Sequence, residues 1–146
     1  MLANQKISKK TLKKNTFDYI LFESLFTSTY LDTVNQLSNA LKLYRSQNIE
    51  HHIWFEQSNQ NNNILKKWYL KIQAKRLKNE EIKFWNTIDS ILSISDNDRS
   101  HIIKYCNTPT HVIGLYSEKR YLQNINQSTK VDFFHLGTMN WLPNKE

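Results

Sequence analysis

Short apolar runs recur along the chain and are separated by longer segments of helical spacing. Phe17 to Phe22 (FDYILF), Leu41 to Tyr44 (LKLY), Ser90 to Ile94 (SILSI), His111 to Leu115 (HVIGL) and Val131 to Leu136 (VDFFHL) are each too short for a buried helix. Runs of that length suit buried strands. Between them, Thr29 to Ala40 places Tyr30, Val34 and Leu37 (or Leu41) on one helical face. Asn63 to Asp89 is the strongest helical segment, with Leu65, Trp68, Tyr69, Ile72, Leu77, Phe84, Trp85 and Ile88 near helical spacing. Trp68, Tyr69, Phe84 and Trp85 read as core. Ser95 is suited to cap a helix running to about Tyr105, and Asp96 and Asp98 suit its positive end. Asn107 to Pro109 breaks that helix, and a polar connector runs from Tyr116 to Lys130.

Strands alternating with helices predict βαβ units, a mainly parallel sheet and an α/β, Rossmann-like fold. Ligands bind such sheets beyond the carboxyl ends of the strands. Glu23, Gln47 to His51, Ser95 and Gly137 all fall there.

Composition narrows the function classes. Hydrophobic residues make up 39% and aromatics 12%, enough for a core and too much for a disordered chain. Only two glycines occur, which weighs against a Gly-rich phosphate loop or a dinucleotide fingerprint. The formal net charge of +7 suits an anionic partner: nucleic acid, an acidic lipid surface or a phosphorylated ligand. Cys106 is alone, so no internal disulfide forms and no cysteine-based metal site is expected; a reducing, cytoplasmic setting is the simplest reading. No apolar run reaches the roughly 18 residues of a membrane-spanning helix. Residues 1–16 form a basic lead-in with five lysines and no secretory character. The amide-rich tract Gln57 to Asn63 reads as a loop.

Five segments taken together resemble the family 4 (group 1) glycosyltransferases, retaining enzymes of the GT-B type. FDYILFESLF (17–26) is similar to the family's strand with an acidic or polar tip at the cleft. LYRSQNIEHHIWFE (43–56) resembles the pattern Arg-x-His-Asn-x-Glu-His followed by Trp-Glu, with Gln47 where the family usually has His. LKKWYLKIQAKRLKNEE (65–81) resembles the basic helix after that motif, and SILSISDNDRSHI (90–102) the following strand, Ser and acidic helix start. FFHLGTMNWLPNKE (133–146) is similar to the first strand and loop of the donor-binding half.

The resemblance implies transfer of a sugar from a nucleotide-diphosphate donor to a glycan or lipid-linked acceptor, as in polysaccharide biosynthesis. It implies retention at the anomeric carbon and no metal or other cofactor. It divides the chain into the lead-in, a partial acceptor-side domain with connector (17–128) and the opening of a donor domain (129–146). The family's paired donor-binding glutamates have no counterpart, so this chain by itself is expected to be inactive. Acceptor or cleft-lining candidates are Glu23, Gln47, Asn48, Glu50, His51 and Ser95. Asn48 and His51 have a plainer reading, as the cap of the next helix and a solvated ring. Gly137 and Thr138 are donor-phosphate candidates through their backbone N–H groups.

Lys66, Lys67, Lys71, Lys75, Arg76 and Lys78 form a basic helix face, suited either to peripheral contact with an anionic membrane or to plain solvation. His52, His101, His111 and His135 show no ligand spacing, and no metal site is expected. Cys106 has no basic neighbour that would activate it. The competing function is a small basic nucleic-acid-binding or interaction module without catalysis. Nucleic acid is the less favoured partner, because no recognition motif is present.

Overall fold

The computed structural model of the chain describes residues 9–114. Four parallel strands form one sheet: β1 (Tyr19–Phe22), β2 (Leu41–Ser46), β3 (Ser90–Ser93) and β4 (Thr110–Val112), in the order β1-β2-β3-β4. Residues 9–14 are helical. A 3-10 turn (Leu25–Tyr30) leads into α1 (Leu31–Leu37), and α2 (Glu50–Asn59) and α3 (Ile64–Trp85) connect β2 to β3. Helix α4 (Asp96–Ile102) connects β3 to β4. The α/β class and the parallel sheet expected from the alternating runs are therefore present.

Successive strands step in one direction across the sheet, so right-handed crossovers lay their helices on one face. The pairings Phe22↔Tyr44 and Tyr44↔Ile91 align the core residues of that face. Phe22, Tyr44 and Ile91 pack with Val34 of α1, Phe84 and Trp85 of α3 and Ile102 of α4 in one buried cluster. Phe84 lies at the centre of it, edge-to-face with both Phe22 (5.6 Å) and Tyr44 (5.0 Å). Such aromatic pairs add to the free energy of simple area burial. Period-two alternation puts Tyr19, Leu21 and Leu41 on the opposite face, where each remains substantially exposed.

Ser95 caps its helix as expected, and Asn63 caps α3 as well. Ser95 Oγ accepts the Asp98 N–H (3.1 Å), and Asn63 Oδ1 accepts the Lys66 N–H (3.1 Å). Two expectations need correction. The tract Gln57 to Asn63 is not all loop, because its first three residues finish α2, where Ser58 is buried and donates to the Phe55 carbonyl (2.6 Å). Trp68 and Tyr69 are not core: they are 67% and 57% exposed, while Phe84 and Trp85 are buried as expected. Length explains the difference. The 22 residues of α3 span about 33 Å, whereas the six of β2 span about 20 Å. The first turns of α3 overshoot the sheet, and the buried stripe begins only at Leu70 and Ala74.

Phe84→Ala should therefore lower stability by about 3–5 kcal/mol. Trp68→Ala, more than four turns away on the same helix, should change it by less than about 0.5 kcal/mol. Urea unfolding of the two variants, followed by circular dichroism, checks the contrast; comparable losses would contradict the exposed placement of Trp68.

Candidate functional site

Two polar centres hang from the segment that leaves β2. The first lies at the carboxyl edge of the sheet. Parallel pairing of β1 and β2 brings the residues after their ends side by side, and Gln47 Nε2 donates to the Glu23 carboxylate (3.2 Å). Arg45 places its guanidinium 3.6 Å from the same carboxylate. Both ionic side chains are partly exposed, so their pairing is worth at most about 1 kcal/mol. It leaves them available to a ligand. The Nε of Arg45 is buried without a hydrogen-bond partner among the described residues. One carboxylate, one amide and one guanidinium thus converge at a solvent-facing edge.

Among the other edge candidates, Ser95 is engaged through its side chain and Asn48 through its backbone. Ser95 Oγ caps α4 and donates to Asp98 (2.7 Å), and the Asn48 carbonyl accepts from Ser46 Oγ (3.1 Å). Asn48 does not cap α2. The residue in that position is Ile49, whose side chain makes no capping bond. Gly137 and Thr138 lie outside the described residues.

The second centre supplies the missing cap from far away in sequence. The carboxylate of Glu81, fully buried on α3, accepts the Glu50 N–H (3.0 Å) and the His51 N–H (3.1 Å). A carboxylate at a helix N-terminus satisfies orphan donors and meets the positive end of the helix dipole. Its Oε2 also bonds His51 Nδ1 at 2.7 Å. Both carboxylate oxygens serve as acceptors, so Nδ1 is the donor and the proton sits there. The His51 ring is 1% exposed, which corrects its reading as a solvated or cleft-lining residue.

His51 does not stand alone. His52 follows it on α2, and His101 of α4 packs against both, with ring centroids 4.6 Å (His51–His52), 5.5 Å (His51–His101) and 4.1 Å (His52–His101) apart. One ring nitrogen from each of the three lies within 4.8 Å of the others. Burial lowers the pKa of His52 and, with help from the neighbouring His52 and His51, lowers that of His101 to about 4. Burial and the Glu81 charge raise the Glu50 carboxyl and the Tyr44 phenol. The pair at 51–52 and the ring at 101 carried no ligand spacing because the sheet, not the local sequence, brings them together.

On α3, Lys66, Lys71, Lys75 and Arg76 are exposed. Lys67 reaches the Asn59 carbonyl (3.5 Å), and Lys78 sits over the Tyr105 ring (4.3 Å) and bonds its hydroxyl (3.2 Å). The basic face is thus partly structural. Cys106 is buried, with its thiol toward the Ile102 carbonyl (3.6 Å). A broad cavity of about 1130 Å³ opens at the opposite, amino edge between residues 12–19 and 35–41, away from both polar centres. No protein-family model, curated protein or solved structure matches the chain.

Removing Glu81 leaves two helix N–H groups and one imidazole N–H buried without an acceptor. Glu81→Ala should cost about 3–5 kcal/mol, and Glu81→Gln, which keeps one acceptor oxygen, about 1–3 kcal/mol. Denaturant midpoints of the two variants measure this order, and equal losses would show that the cap contributes little beyond side-chain packing.

Proposed function

We propose that the chain is the acceptor-side α/β unit of a retaining GT-B-type glycosyltransferase, which transfers a sugar from a nucleotide-diphosphate donor to a glycan or lipid-linked acceptor. One observation carries this reading: Glu23, Arg45 and Gln47 converge at the carboxyl edge of a parallel sheet. That edge is where open α/β sheets take ligands. The three residues belong to two of the segments that carry the resemblance, 17–26 and 43–56.

Their chemistry fits sugar recognition. A carboxylate accepts from hydroxyls, a guanidinium donates, and an amide does both. Gln47 takes no proton at neutral pH, so its role is hydrogen bonding and positioning. The reaction then depends on alignment of the acceptor and on electrostatic stabilisation of the departing diphosphate.

A different observation supports a membrane-borne acceptor. The outer side of the first turns of α3 exposes Ile64, Leu65, Trp68 and Tyr69, followed by the exposed cations Lys71, Lys75 and Arg76. Aromatic and aliphatic side chains beside lysines suit the interface of an anionic bilayer, where each cation contributes about 1 kcal/mol. No helix among the described residues is long and apolar enough to cross a membrane. Aromatics among lysines also suit single-stranded nucleic acid, so the two partners are tested together.

Titration of the isotope-labelled chain with a panel of oligosaccharides should shift the Gln47 side-chain amide and the backbone amides of Glu23 and Arg45. Gln47→Ala and Glu23→Gln should each weaken binding about tenfold, equivalent to one lost hydrogen bond. Affinity untouched by either change would sink the sugar-binding reading. In co-sedimentation with phosphatidylglycerol vesicles, the double variant Leu65→Ala/Trp68→Ala should bind at least about tenfold more weakly, from the two exposed side chains that would otherwise enter the bilayer. Tighter binding to a single-stranded oligonucleotide than to vesicles, at physiological salt, would favour the nucleic-acid module instead.

A further inference from the structure

We propose that His51, His52 and His101 form a binding site for a divalent transition-metal ion, zinc in the first instance, with Glu81 orienting His51 from behind. The inference is independent of the glycosyl-transfer reading. Three features of the cluster converge on it.

The first is the ligand set. Three imidazoles from two elements offer nitrogens within 4.8 Å of one another, against about 3.3 Å between nitrogens sharing a tetrahedral zinc ion. His51 is fixed, whereas His52 and His101 lie nearer solvent, and small rotations of those two rings close the gap. Three protein nitrogens leave a fourth position for water. Imidazole ligands suit zinc, and also copper and nickel, over calcium or magnesium.

The second is the arrangement behind His51. Its Nδ1–H donates to the buried Glu81 carboxylate at 2.7 Å. This carboxylate–histidine pairing fixes the tautomer, leaves the lone pair on Nε2 and makes that nitrogen a better ligand. The carboxylate is itself held by two helix N–H groups, so it cannot swing away from the ring.

The third is the unmet bonding capacity. The Nε2 atoms of His51 and of His101 are both buried and have no hydrogen-bond partner among the described residues. Buried polar atoms in folded proteins are nearly always satisfied. A shared cation accounts for both at once, and it accounts for three imidazoles packed ring to ring, where protonation would set like charges together. The ion would tie the start of α2 to α4, and through Glu81 to α3.

The test is calorimetric titration of the EDTA-treated full chain with zinc chloride. Binding of one ion per chain is expected, with a rise in melting temperature on addition of zinc. His52→Ala and His101→Ala should each weaken binding by about a hundredfold or more, since loss of an outer carboxylate alone typically costs ten- to hundredfold. His111→Ala, an exposed ring outside the cluster, should change nothing. His52 is near the surface and its loss spares the fold, so a folded His52→Ala chain that still binds zinc with unchanged affinity overturns the proposal. So does the absence of stoichiometric binding in the unaltered chain. Cobalt substitution gives a second readout: visible bands of a four-coordinate ion are expected, and an octahedral, nearly colourless spectrum would contradict a three-histidine centre.

Discussion

The carboxylate of Glu81 is buried where water cannot reach it, and the rest of the described structure is arranged around that constraint. An ionised oxygen pair in the interior requires donors on both atoms. Here two come from the first N–H groups of α2 and one from His51. Helix α2 has no side-chain cap of its own, so it can begin only where its N-terminus meets this group. The register of α2 against α3 is therefore set by three hydrogen bonds across about thirty residues of sequence, on top of the apolar contacts between the two helices. A buried carboxylate is weak grounds for high stability, because its desolvation offsets much of what its hydrogen bonds return. What it does supply is uniqueness: a slip of one residue in either helix would strand a charge.

The sheet shows the same economy of partners. Its helices cover one face, and the aromatic ring of Phe84 joins β1 and β2 to α3. The opposite face shows Tyr19, Leu21 and Leu41 to solvent among the described residues. Helix α3 extends beyond the sheet it covers, and its first turns carry apolar side chains with no core to enter. Apolar area at the end of a helix, bordered by cations, is the pattern of a surface that meets something outside the chain.

Sequence reading succeeded where the determinants were local. The apolar runs at 17–22, 41–44, 90–94 and 111–115 marked the four described strands to within a few residues. The cap at Ser95 was legible because its partner, Asp98, is three residues away. Where the determinant was distant, the sequence was silent. The polar stretch after β2 suggested a helix opening capped by Asn48, but gave no sign that the capping group is Glu81. Trp68 and Trp85 carry the same local signal, and only the length of the sheet decides that one is exposed and the other buried. The edge cluster was partly legible: Glu23 and Gln47 could be placed at strand ends, but their direct bond depends on which strands are neighbours. The three histidines were invisible for the same reason, since α4 joins α2 only after β3 has paired with β2.

The residues from Arg45 to His52 connect the two polar centres. Arg45 and Gln47 stand at the exposed edge, Ile49 anchors the turn in the core, and Glu50 to His52 open the helix over Glu81. Eight residues of a polar stretch thus divide between a solvent-facing cluster and a buried one, with a single apolar side chain as the pivot. A pivot of that kind transmits position. Glu81 holds the first turn of α2, Ile49 beside it is anchored in the core, and Glu23 receives the Gln47 amide two residues before that anchor. Preorganisation of an exposed hydrogen-bonding group is otherwise difficult on a surface loop, where ordering a long side chain costs conformational entropy at the moment of binding. The buried centre moves that ordering into the fold itself, and this gives a physical reason for a chain to bury a carboxylate and an imidazole beneath the loop that presents its exposed polar cluster.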